Sequence, residues 1–131
     1  MAIEIVTFGG REVLIGAPNR ILAGDVVSPF ATLVVASCQE ELNEVLGVAG
    51  LLLELGCKEF CCLGFEAELL HDCLDRLVED SNRLDVVTTW HTNIDKGCEY
   101  FLFAAGGQDI NLYGLIAGHP AVMDALTRAS Q

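Results

Sequence analysis

The sequence predicts an α/β domain built on a mainly parallel sheet of four or five strands, and three observations point there. Short runs of β-branched and aromatic residues alternate with longer segments whose apolar residues recur at helical spacing, the pattern of successive β–α units. Two of the runs, Thr32-Leu33-Val34-Val35-Ala36 and Phe60-Cys61-Cys62-Leu63, are apolar almost throughout, as in strands covered on both faces. The 131 residues are 52% hydrophobic and 20% charged, and the mean hydropathy is +0.44, so the chain can fill a core and is not a disordered acidic polymer. Its length suits one domain, residues 1–131, since domains commonly run to about 100–150 residues.

The opening predicts a hairpin within residues 1–16. Ile3–Phe8 and Glu12–Gly16 are rich in β-formers and flank Gly9-Gly10-Arg11, a connection free to take positive φ. Residues 17–30 contain Pro18, Asn19, Gly24, Asp25, Ser28 and Pro29 and predict irregular structure, with room for a short strand near Val26. The α/β core is expected over residues 31–117. Its first strand is followed by Leu42, Val45, Leu46, Ala49, Leu52 and Leu53 at helical spacing, with Gly56 placed for a left-handed helix end. After the Phe60–Leu63 strand and Gly64, a second helix carries Ala67, Leu70, Leu74, Leu77 and Val78 inward.

A third strand is expected at Asp85–Trp90. A fourth is expected at Tyr100–Ala105, stopped by Gly106-Gly107, and its orientation is open because the link at Asn93–Glu99 is short for a helical crossover. Ile110–Ala117 reads as a fifth strand. Pro120 then suits the first turn of a last helix within residues 119–130, with Val122, Ala125, Leu126 and Ala129 inward.

Lys+Arg 7 against Asp+Glu 19 gives a formal net charge of −12. Residues 40–85 hold twelve acids against Lys58, Arg76 and Arg83, which disfavours direct nucleic-acid binding, because phosphate neutralisation needs clustered basic residues. The start MAIEIVTFGG lacks a basic flank, and the longest apolar stretch, Val45–Leu53, falls short of the about 20 residues that span a bilayer, so a cytoplasmic protein without membrane contact is expected. Six cysteines in such a chain are expected to be reduced and buried rather than paired.

Ligands of open α/β sheets bind beyond the carboxyl ends of the strands, so the residues after each run form a candidate rim: Ser37, Cys38, Gly64, Glu66, His91 and Gly106-Gly107. His91 is the leading candidate for acid or base work, since histidine titrates near neutrality; the alternative is a ring bonded to a loop carbonyl. Trp90 beside it is either core or a ligand platform. Cys38 precedes a helix start that would favour a thiolate, although Glu40 and Glu41 oppose it. Cys57, Cys61, Cys62, His71 and Cys73 lack metal-ligand spacing, so no metal and no cofactor is expected. His71 with Glu68 and Asp75 reads as a solvated cluster, and His119 as closing a loop onto the last helix. No dinucleotide, P-loop or nucleophile-elbow motif is present.

Pro29-Phe30-Ala31, Gly56-Cys57-Lys58-Glu59-Phe60 with Cys61-Cys62-Leu63-Gly64, Thr88-Thr89-Trp90-His91, Asp95 and Tyr100-Phe101-Leu102-Phe103 together resemble a family of small uncharacterised bacterial α/β proteins over about residues 29–116. The resemblance implies a fold class and no reaction. The expected ligand-binding positions are Ser37 and Gly64 of the rim, Trp90 beside His91, and Asp95. The first functional expectation is a non-enzymatic binding or regulatory module, a homodimer with a possible further protein partner. The second is a small hydrolase or transferase with His91 as base, assisted by Cys38 or Glu66. The third is an acidic decoy for a basic partner.

Overall fold

A computed structural model describes residues 4–21, 24, 26–107 and 109–131 of the chain. The described elements are β1 (Glu4–Phe8), β2 (Arg11–Ile15), β3 (Phe30–Val35), α1 (Gln39–Leu55), β4 (Cys57–Leu63), α2 (Ala67–Asp80), β5 (Val87–His91), α3 (Ile94–Phe103), β6 (Asn111–Leu115) and α4 (Pro120–Ala129). The strands form one sheet in the order β1-β2-β6-β3-β4-β5. All pairings are parallel except the β1–β2 hairpin. The α/β class, the mainly parallel sheet, the N-terminal hairpin and the C-terminal helix are therefore as the sequence predicts. The sheet has six strands because the hairpin joins it through β2.

Two helices cover each face. Phe30, Val34, Phe60 and Cys62 face α1 and α2, whereas Ala31, Leu33, Cys61 and Leu63 face α3 and α4, as the two-residue alternation of a strand requires. β3 is buried along its whole length. Each of its large side chains contributes about 1.5–3 kcal/mol by leaving water. Gly56 ends α1 at φ 109, where a side chain would be strained. Neither α1 nor α3 has a basic residue in its last turn. Arg83 and Arg11 supply the charge from elsewhere, donating to Leu53 O (3.1 Å) and Leu102 O (2.6 Å).

One expected strand is a helix. Tyr100–Ala105 lies in α3 and the turn that ends it, because Cys98, Phe101, Leu102 and Ala105 are all buried on one side at helical spacing. Asn93 caps the start, its side chain accepting from Lys96 N at 2.9 Å. The short link between the third strand and this segment is thus the first turn of a crossover helix, and the question of an antiparallel fourth strand falls away. Other boundaries shift modestly: the Phe60–Leu63 strand starts at Cys57, and the third strand runs to His91. Val26 is in no strand. Ile3, at the start of the expected hairpin, Asp25, in the irregular segment, and Gln108 lie outside the described residues. No helix among the described residues is long and apolar enough to cross a membrane.

Candidate functional site

The parallel register aligns the strand ends. Val35 pairs with Leu63 and Leu63 with His91, while Val34 pairs with Leu115. The loops beyond them are stitched by backbone bonds: Ala36 N to Leu63 O at 2.9 Å, Glu66 N to Ala36 O at 2.9 Å and Gly64 N to His91 O at 3.3 Å. Gly64 has φ 116, and a Cβ there would stand 2.5 Å from Ala36 O, so only glycine lets these loops approach. Ser37, Cys38, Gly64, Glu66 and His91 consequently emerge along one edge.

Gly106-Gly107 does not join them. Those glycines follow α3, which runs back across the sheet, and Gly106 N donates to Glu59 Oε1 (2.7 Å) near the opposite ends of the strands. This corrects the expected rim, and the cause is the helix misread as a strand.

The chain steps from β3 to β4 to β5, then crosses back through α3 to β6 on the other side of β3. The order reverses between β3 and β6, the point where doubly wound sheets open a crevice. The loops there carry Ser37 and Cys38 on one side and Ile116–His119 on the other. Glu41 in the first turn of α1 accepts from Ser37 N at 2.8 Å. Its other oxygen stands 3.5 Å from His119 Nε2. Glu41 thus occupies the positive end of α1 itself and ties it to the start of α4, where His119 is the N-cap.

His119 lines two concavities. The larger, about 1000 Å³, opens beyond the ends of β2 and β6 and is walled by Ile15, Ile21, Ile116 and Met123, with Glu4, Asn19 and Arg20 among its polar groups. The smaller, about 190 Å³, lies between Ser37, Gly64, Ile94 and Pro120. Of the ligand-binding positions expected from sequence, Ser37 and Gly64 meet there. Asp95 is exposed and pairs with Arg128 at 2.8 Å, linking α3 to α4. Trp90 is 39% exposed and points to the sheet face opposite His91, its neighbour in β5.

His91 is half-buried with its ring on Tyr100, centroids 5.4 Å apart. Gly97 permits that packing, since a Cβ there would come within 3.1 Å of His91 Cβ. Cys38 is exposed at the N-cap of α1, and Glu66 is the N-cap of α2; neither side chain makes a capping bond. Neither Cys38, Glu66 nor His91 lines the two concavities that His119 borders.

A second polar constellation went unseen in the sequence. Glu59, in β4, is 4% exposed. Its carboxylate accepts from Tyr100 OH (2.6 Å), Thr89 Oγ1 (3.0 Å) and Gly106 N (2.7 Å). Burial, together with the bond to Glu59, pushes the Tyr100 hydroxyl well above the usual phenol range, so it stays a donor. Burial likewise pushes Cys57 and Cys98 up to about 12, and raises Cys61 and Cys62 well above the usual thiol range. These four are packed thiols without nucleophilic character near neutral pH. No cluster of three His, Cys, Asp or Glu residues able to hold a metal occurs among the described residues.

Comparison with known proteins finds no matching curated protein and no matching solved structure. Residues 16–122 match a family described as a domain of unknown function, DUF7684; the match spans β3 to β6 and takes in Ile21, Ile116 and His119 of the larger concavity but not Glu4, Ile15 or Met123. The chain belongs to the DUF7684 family.

Proposed function

We propose that the protein is a non-enzymatic binding module of the bacterial cytoplasm whose ligand is a small molecule seated in the strand-end crevice beside His119. The observation that carries this reading is the concavity of about 1000 Å³ at the ends of β2 and β6. It has the size of small-molecule sites and their make-up, an apolar wall with a few polar groups to fix orientation. Ile15, Ile21, Ile116 and Met123 suit an apolar body. Arg20, Asn19 and His119 suit a polar or acidic end group.

The test uses an amphipathic anion, anilinonaphthalene sulfonate, as the probe. The reading predicts saturable one-to-one binding to the native protein, abolished by Ala117→Trp, which fills the crevice from an exposed loop position. Binding that survives Ala117→Trp in a folded variant overturns the reading.

Homodimerisation has separate support. Ile5 on the outer hairpin strand and Val27 beside it are 63% and 66% exposed, and both border a hollow of about 200 Å³. Such side chains gain most from burial against a second copy. A strictly monomeric mass by light scattering at a concentration of about tens of micromolar overturns the dimer. Catalysis by His91 with Cys38 or Glu66 ranks behind binding, because the large concavity is built around a different histidine.

A further inference from the structure

We propose that the outer edge of β5 is a docking strand for an extended, lysine- or arginine-bearing segment of a partner protein, added to the sheet beside β5. Among the described residues, β5 pairs only with β4. The His91 carbonyl accepts from Gly64 on the β4 side, so by alternation Thr88 and Trp90 turn their N–H and C=O groups outward. An edge of this kind is usually blunted by charge, proline or a bulge. Val87-Thr88-Thr89-Trp90-His91 has no charged residue other than a protonatable histidine, no proline and an unbroken register. Its side chains offer apolar contact too: Val87 is 51% and Trp90 39% exposed.

The flank of α2 above this edge defines the occupant. Thr88 Oγ1 donates to Asp75 Oδ1 at 3.2 Å, which fixes the side of α2 that overlooks β5. Glu68, Asp72 and Glu79 stand seven and three residues before Asp75 and four after it, so all share that side, and all are exposed. A second copy pairing edge to edge would bring two such acidic flanks together, a like-charge contact that costs affinity. A basic strand meets instead a row of carboxylates on the α2 face, where Trp90 lies beside them against the aliphatic stems of its lysines, backbone partners in the plane, and Val87 on the other face for its apolar residues. This is strand addition, with main-chain bonds giving affinity and side chains giving selectivity.

Trp90 is the sole tryptophan, so its fluorescence reports on the edge directly. The probe is a short peptide of alternating lysine and valine, compared with a glutamate–valine peptide and with the lysine–valine peptide N-methylated at alternate residues. The proposal predicts a saturable blue shift with the first peptide alone, weakening about tenfold between about 50 and about 300 mM salt. Thr88→Pro removes an outward donor at an edge position where proline is tolerated, and abolishes the response. Should Thr88→Pro misfold, Glu68→Lys combined with Asp72→Lys neutralises the flank and must lower affinity by at least tenfold. An unchanged Trp90 spectrum, an equal response to the N-methylated peptide, or a native dimer broken by Thr88→Pro overturns the proposal. The last result would assign the edge to a second copy.

Discussion

Glu59 is held in the interior by hydroxyl and backbone donors, with no basic side chain among its hydrogen-bond partners in the described structure. A buried carboxylate is tolerable only when its oxygens are satisfied. Besides a weak contact from the Cys61 thiol at 3.8 Å, its donors come from β5, α3 and the turn after α3, so one side chain locks the crossover to the sheet. Replacing it leaves the Tyr100 and Thr89 hydroxyls and the Gly106 N–H facing a gap. Glu59→Ala is therefore expected to cost about 3 kcal/mol in urea unfolding, and Glu59→Gln less, since an amide oxygen still accepts. A loss below about 1 kcal/mol for Glu59→Ala would contradict the lock. Part of this was legible: Glu59 is in phase with Cys61 and Leu63, hence turned inward by simple alternation. Its partners lie 30, 41 and 47 residues away, and no local pattern reveals them.

α3 shows how a composition signal and a spacing signal can conflict. Tyr100-Phe101-Leu102-Phe103 has strand-like residues, yet its neighbours Gly97, Cys98 and Ala105 complete a helical stripe, and packing on the sheet decides between them. The strands before it were legible because their runs are short, apolar and bounded by turn residues. α1 carries a different conflict. Gly47 and Gly50 sit exposed in the middle of this helix, and a Cβ at either would meet nothing within 4 Å. Glycine in a helix interior is about 0.5–1 kcal/mol worse than alanine. Gly47→Ala and Gly50→Ala should each stabilise the protein by about that amount in denaturant unfolding; destabilisation would mean that α1 needs its bare backbone for a contact.

Across the molecule, the two proposed sites lie at margins of the sheet, the strand ends and the β5 edge. The strand-end rim was foreseeable, because parallel strands necessarily align their carboxyl ends, and Ser37, Gly64 and His91 do emerge together. The centre of the crevice was not. It depends on β6 pairing with β2, strands from opposite ends of the chain, which no stretch of sequence states, and His119 on its border meets Glu41 from 78 positions away in the chain. The acid surplus has a similar duality: Glu41 is consumed in tying α1 to α4, whereas Glu68, Asp72 and Glu79 of α2 stand exposed beside the β5 edge.

The most direct test of the crevice as the ligand site is a fragment screen followed by backbone amide chemical shifts of the isotope-labelled protein. The account predicts that apolar acids shift the amides of residues 15–21 and 116–123 in a saturable way, and that Ala117→Trp removes those shifts while leaving the fold intact. Shifts confined to His91 and its neighbours, with residues 116–123 unmoved, would contradict it.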